Sequence, residues 1–174
     1  MMPGAAGLRL RQGTRALSAF ARPLEIERAA AVLTPAELAL FQRMRRSEQL
    51  HSLNVLASAQ ADDSLTLAQA ALLHDVGKIR YPIRLWQRTM PVLVGAVSRR
   101  WLERLAERDP RPAWSRGFVV SVHHPAWGAE LAAEAGASGD VVWLVRHHAE
   151  DPARWQSHPL YPLLVRLKRA DDAH

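Results

Sequence analysis

Apolar residues recur along this chain at spacings of three and four, and no apolar–polar alternation runs long enough to make a strand. Thr34-Pro35-Ala36-Glu37 is a helix start, with Thr34 as cap, Pro35 in the first turn and Glu37 completing a capping box. Ser47 offers a cap for the next helix, whose stripe is Leu50, Leu53, Leu56 and Ala57, with His51 beside it. A third helix from near Ser64 carries Leu65, Ala68 and Leu72 and aligns Asp75 with them, and Gly77 is placed to end it. Residues 79–122 are the least regular, with Trp86, Trp101 and Trp114 among Arg84, Arg88, Arg99, Arg100 and Arg104 around the apolar stretch Met90–Val97. They predict one or two helices, set off by Asp109-Pro110-Arg111-Pro112. Beyond them Pro125 opens a helix that Gly136 closes, and Ser138 caps another running from Asp140 to about His148. The last helix, Leu160 to Ala173, has the cleanest stripe: Leu160, Leu163, Leu164, Leu167, then Asp171. The fold class predicted is all-α.

At 174 residues the chain is long enough to bury one core without staples. Residues 1–34, rich in Arg and Ala, read as an N-terminal extension with one short helix around Ala16–Ala31. Residues 35–174 read as the domain, with 79–122 as a helical insertion in it. There is no cysteine, so no disulfide or thiolate site is available and any metal must be held by nitrogen and oxygen. The start Met1-Met2-Pro3-Gly4 lacks an apolar signal core, and Met90–Val97 is too short to span a bilayer, so a cytoplasmic location is expected. Lys and Arg number 23 against 17 Asp and Glu, and nearly all the cations are Arg. Arg pairs bidentately with phosphate, so a phosphate-bearing small molecule fits as partner; a merely solvated basic surface explains the same charges equally well.

Asp171 changes the picture most. Helical spacing puts it one turn beyond Leu167 on the buried stripe, where an unpaired carboxylate would cost several kcal/mol. A metal ion or an Arg would each satisfy it, and both readings stay open. Asp172 points about 100° away and reads as solvated. His74 and Asp75 are adjacent at the end of an apolar helix; a carboxylate can bridge two cations with its two oxygens, whereas an imidazole binds one. Gly77 allows a sharp turn, after which Lys78 brings a positive charge beside the carboxylates. His147-His148 ends an apolar helix shortly before Pro152, where the backbone bends and both rings can approach one ion; complementing the helix dipole is the alternative. His124, before Pro125, falls at a helix N-cap, a place imidazole fills poorly, and His123 competes with it as a ligand. His158 and His174 fit no pattern and read as surface residues.

In order, the candidates run histidine (His51), histidine–aspartate (His74-Asp75), histidine (His124), histidine–histidine (His147-His148) and aspartate (Asp171). The segments Leu50-His51-Ser52, Leu72 to Lys78, His124-Pro125-Ala126-Trp127-Gly128-Ala129-Glu130, Val145-Arg146-His147-His148 and Leu167-Lys168-Arg169-Ala170-Asp171 together resemble the HD-domain superfamily of metal-dependent phosphohydrolases, over roughly residues 35–173. Among its branches the multi-metal HD-GYP-like subgroup is the most similar. That subgroup's Gly-Tyr-Pro segment is missing after His147-His148, where Ala149-Glu150-Asp151-Pro152 stands instead, which argues against cyclic di-guanylate as substrate.

The resemblance implies an HD-domain helical bundle with metal ligands on its inner helix faces. It implies that His51, His74, Asp75 and Asp171 hold one ion, that Asp75, His124, His147 and His148 hold a second, and that Lys78 contacts substrate phosphate. The cofactors implied are two divalent transition-metal ions, iron or manganese first, with zinc, cobalt or nickel behind. The activity implied is hydrolysis of a phosphoester, a nucleotide among the candidates. The competing expectation is a non-catalytic, metal-bound HD signalling or binding module, docking on nucleic acid or anionic membrane through residues 83–105.

Overall fold

The structure, a computed structural model, describes residues 24–174. Among them the chain forms helices and turns and no strand: α1 (Ile26–Ala30), α2 (Pro35–Gln42), α3 (Arg46–Ser58), α4 (Leu65–Leu73), α5 (Leu85–Val97), α6 (Arg99–Ala106), α7 (Ala113–Glu134), α8 (Gly139–His147) and α9 (Tyr161–Asp172). The all-α expectation is met. Of the short helix expected around Ala16–Ala31, the described part is α1; the rest lies outside the described residues.

Several helix ends follow the capping chemistry written in the sequence. The Thr34 hydroxyl accepts the Glu37 N–H, and the Glu37 carboxylate accepts the Thr34 N–H at 2.8 Å, the expected capping box. Ser64 and Ser138 cap α4 and α8. Gly136 ends α7 at φ 85°, with its N–H donating to Ala133 O and that of Ala137 to Ala132 O, both at 3.0 Å, as in a Schellman motif. At α3 the cap is not Ser47: Arg45 takes the position, and the Glu48 carboxylate accepts its N–H at 3.1 Å. Glu48 is buried and also receives Arg88 at 2.5 Å, so the second oxygen of the same carboxylate ties α3 to α5.

α4 runs through the middle of the bundle, against α3, α8 and α9. Leu67, Ala68 and every residue from Ala70 to Leu73 are buried, so this helix is apolar nearly all round, as a central one must be. Leu65, expected on its inner stripe, is 63% exposed. Nor does Gly77 end the helix. α4 stops at Leu73, and Gly77 lies in the following 3-10 turn, Val76–Arg80. Its need for glycine is one of space: a Cβ there would stand 2.0 Å from the His124 carbonyl oxygen and 2.6 Å from the Gly128 nitrogen.

The largest departure from expectation is at Pro125. It does not open a helix; α7 runs unbroken through it for 22 residues, and His124 is mid-helix, not an N-cap. Residues 113–122, read with the insertion, are therefore the first half of the helix that carries His124. α5 and α6 pack on that half. Gly117 lets α5 approach, since a Cβ there would be 2.2 Å from the Gln87 carbonyl oxygen. No described helix is long and apolar enough to cross a membrane.

Gly77→Ala should therefore destabilise the fold by about 2 kcal/mol or more, because backbone atoms block the methyl. Gly139→Ala, with nothing within 4 Å of its Cβ, should stay within about 0.5 kcal/mol of the parent. Denaturant unfolding of both variants checks the pair; equal, small effects would mean that the turn and α7 do not touch as described.

Candidate metal centre

His74 is the C-cap of α4, and Asp75 follows at φ −96°, ψ 1°, in the sparsely used bridge region where the chain leaves the helix. The pair thus sits at the point where the central helix ends, not along its stripe. Both side chains are buried. Around them stand His51 from α3, His124 from α7, His148 at the C-cap of α8 and Asp171 from the last turn of α9. Four imidazoles form a row, His51–His74–His148–His124, with neighbouring centroids 5.0–5.2 Å apart.

Three of these rings are anchored in the same manner. Nδ1 of His74 donates to Ala71 O at 2.9 Å, Nδ1 of His124 to Val120 O at 2.9 Å, and Nδ1 of His148 to Val145 O at 2.8 Å. An imidazole that donates from Nδ1 and is neutral carries a lone pair on Nε2. All three Nε2 atoms face inward. His124 Nε2 lies 3.3 Å from His148 Nε2 and 3.4 Å from Asp75 Oδ1. His74 Nε2 lies 3.2 Å from His51 Nε2, 3.7 Å from Asp75 Oδ2 and 3.6 Å from Asp171 Oδ1. His51 Nε2 is 3.0 Å from Asp171 Oδ1. Where these Nε2 atoms carry lone pairs, they repel one another and the carboxylate oxygens unless a proton or a metal cation stands between them. The donor set therefore fits metal ions, and two triads have the spacing to hold one: His51, His74 and Asp75, and Asp75, His124 and His148.

Asp75 is common to both triads, with Oδ2 toward His51 and His74 and Oδ1 toward His124. Oδ2 also receives Lys78 Nζ at 2.5 Å. The partly exposed members are His51, Asp171 and Lys78, each with about a quarter of its side chain accessible, so the site opens on their side.

Pro125 explains how His124 is held. Proline has no N–H, so the Ser121 carbonyl four residues earlier loses its helical donor. His124 Nδ1 lies 3.2 Å from that carbonyl as well as 2.9 Å from Val120 O. The proline thus frees an acceptor for the imidazole without breaking the helix. His123 turns elsewhere, its Nε2 to Ala106 O at 3.2 Å and its ring stacked on Trp127.

His147 is not brought into either triad. Its Nδ1 faces Glu150 Oε1 at 2.9 Å, and its ring lies against Trp143 and Trp155, centroids 4.7 and 4.3 Å away. α8 is still helical at His147, so the two histidines diverge by about 100° and only His148 turns inward. Glu150, Trp143 and Trp155 were not singled out from sequence, although Trp143 sits one turn before His147. His158 is no plain surface residue: it stacks on Trp143 at 3.8 Å with the planes 2° from parallel. Asp172 pairs with Lys168 and is exposed, as expected.

The site is strongly polarised. Burial pushes the His148 imidazole down, as do the charges of His74 and His124, to a pKa of about 3. Burial also opposes ionisation of Asp75, but Lys78, His74 and His124 outweigh it and hold the carboxyl well below its usual range. Asp171 is lowered likewise, with burial overcome by hydrogen bonds to His51 and His74. Burial lowers His74, yet Asp75 and Asp171 prevail and its pKa is raised.

His148 stays neutral in the fold, while in the unfolded chain it takes a proton near the ordinary value of 6.5. Its contribution to stability is therefore full above pH 6.5 and is lost as pH falls toward 3. The two lowered carboxyls act in the same direction at still lower pH, and raised His74 acts in the opposite one. In chelator-treated protein, His148→Gln should flatten the fall in melting temperature between about pH 6.5 and 4; an unchanged slope would show that this imidazole is not buried in neutral form.

The HD domain family model matches residues 47–174, which span all six converging side chains. Comparisons with curated proteins and with solved structures gave no match. HD domains bind divalent metals and the family generally comprises metal-dependent hydrolases, in agreement with a centre built only of imidazole and carboxylate. With the match covering nearly three quarters of the chain, and the donors converging where the central helix ends, the chain belongs to the HD domain family.

Proposed function

We propose that this chain is a phosphohydrolase that cleaves a phosphoester, a nucleotide among the candidates, with divalent transition-metal ions as cofactors. The observation that carries the reading is the convergence of three Nδ1-anchored imidazoles on the two oxygens of buried Asp75. In this reading His51, His74, Asp75 and Asp171 would hold one ion, and Asp75, His124 and His148 a second, with Asp75 common to both sets. His147, turned toward Glu150, is left out of the set. Imidazole with carboxylate suits iron or manganese, then zinc, cobalt or nickel. Such ions, when bound, acidify a water and neutralise phosphate oxygens.

The protein's own groups do the rest. Asp75, kept ionised by its neighbours, fixes the spacing between the two triads. Lys78 stands at the open side on a flexible stem, and its ammonium can pass from Asp75 to an arriving phosphate oxygen. With two dications held by two carboxylates, the centre would be net positive, which would favour a phosphate dianion. Lys78 offsets the buried charge of Asp75 in either reading, but its position at the open side, where a phosphate would arrive, favours turnover over the non-catalytic alternative. A cytoplasmic location is part of the same proposal.

Metal content and phosphoester hydrolysis, measured together, test the roles. Asp75→Ala should lose both ions and the activity. Lys78→Ala should keep the metals and lose rate by at least about tenfold, since its ammonium serves the phosphate. If Lys78→Ala stripped the metals while Asp75→Ala stayed active, the roles would be wrong.

The two C-terminal aspartates give a second test. Asp171→Asn should weaken metal binding by at least about tenfold, whereas Asp172→Asn, on the solvated side, should change little. The reverse order would put the wrong face of α9 at the site.

A further inference from the structure

The outer face of α5 is apolar where a solvated helix would be charged. Trp86, Met90, Leu93 and Val97 form a stripe at helical spacing and are 46, 38, 44 and 89% exposed; Val92 beside them is 69% exposed. Between Thr89 and Val97 no residue is charged. Such a continuous exposed stripe marks a surface that meets something other than water. Directly after it, α6 presents exposed Arg99, Arg100 and Arg104 around exposed Trp101, with the Arg104 guanidinium 5.9 Å from the Trp101 ring.

Charge identifies the occupant. Residues 84–116 hold eight arginines and three acids, a net of +5 in a chain of net +6. A second copy would set this face against its own charge. Residues 1–23 carry four arginines and no acid, so they too would be repelled. The occupant must be anionic and must also take up bare aliphatic surface. Nucleic acid meets the first demand and not the second, because Met90, Val92, Leu93 and Val97 would be stranded against phosphate. Apolar stripe and cations are segregated, the stripe on α5 and the arginines just beyond it on α6. That is the layering of a bilayer interface, acyl chains beneath and headgroups beside.

We propose that α5 and α6 form a docking face for an anionic lipid bilayer, with the Trp86–Val97 stripe buried at the acyl boundary and the arginines of α6 at the phosphates. The mode is interfacial, since no described helix can span. The face is held rigidly to the body of the protein. Gln87, buried on the inner side of α5, donates to Ala113 O at 2.5 Å, and Gly117 lets the two helices close. The inference does not depend on whether the metal centre turns over a phosphoester.

Co-flotation of the full chain with vesicles tests it. Phosphatidylcholine vesicles containing about 30% phosphatidylglycerol should bind at least about tenfold more protein than phosphatidylcholine alone, and raising salt toward about 1 M should reduce that preference. Tryptophan emission should shift to the blue on binding. Leu93→Asp with Val97→Asp should abolish binding, while Arg99→Glu with Arg100→Glu should remove the preference for anionic lipid. Both pairs are exposed and lie away from the metal centre, so metal content and melting temperature should be retained; Val97→Asp alone serves if the double variant misfolds. Failure of the wild type to float with anionic vesicles, as an acidic protein partner would give, overturns the proposal. So does equal binding by the aspartate variants. Either result would leave the metal-binding and hydrolysis assays untouched.

Discussion

The constraint on which this structure turns is the burial of one carboxylate. Asp75 is 3% exposed and remains ionised at the bottom of a helical bundle, where an unpaired charge costs several kcal/mol or more. Lys78 offsets part of that cost, and imidazoles from three other elements face its two oxygens. Each element arrives by a local device. α4 ends one residue before His74, the backbone of Asp75 leaves helical geometry, and Gly77 admits the backbone of α7 at a distance no side chain would permit. Gly128 meets the same crossing from the other side, its Cβ position 3.2 Å from the Gly77 nitrogen. The glycines serve the carboxylate: without that close crossing, His124 could not lie 3.4 Å from it.

The same logic explains which parts of the fold were legible in the sequence. Period and capping chemistry are local, so the Thr34 box, the Ser64 and Ser138 caps, the Gly136 terminus and the stripe leading to Asp171 could be read from a few residues each. The errors came where a tertiary demand overrode a local rule. Pro125 reads as a helix start because proline lacks a donor. Inside α7 that missing donor is useful, because it leaves the Ser121 carbonyl for His124. Ser47 reads as a cap, yet Glu48 reaches back to Arg45, two residues before Ser47, while its other oxygen receives Arg88 on α5. Leu65 fits a stripe whose first turn lies outside the core.

The candidate ligands divide along a similar line. Order and residue type picked out His51, His74, Asp75, His124, His148 and Asp171, which converge in the fold, although His74, Asp75 and His148 stand at helix ends and His124 in a helix whose start the sequence misplaces. His147 could not be separated from His148 by pattern alone. Their separation is a matter of where α8 stops: a bend one residue earlier would have aimed both inward. Instead His147 remains in the helix and takes its place among Trp143, Trp155 and Glu150. Trp155 Nε1 donates to Glu150 Oε2 at 3.1 Å while Glu150 Oε1 faces His147, so one carboxylate orders both rings. This cluster fixes the end of α8, and with it the direction of the next residue, His148. A residue outside the triads thereby bears on their geometry without contributing a donor.

The long α7 joins the two halves of the molecule. Its second half carries His124 and crosses the Val76–Arg80 turn, and its first half is the floor on which α5 and α6 rest. Had Pro125 begun a new helix, a flexible joint would separate these regions and the insertion would be an appendage. Because the helix continues, Gly117 and His124 are seven residues apart on one rigid rod, roughly 10 Å along its axis. Contacts at both ends are backbone to backbone, at Gln87 and at Gly77, and leave little room for sliding. The position of the exposed stripe relative to the converging imidazoles is therefore set by covalent helix geometry. Whatever the outer face of α5 rests against, the open side of the centre, marked by His51, Lys78 and Asp171, keeps a fixed orientation to it.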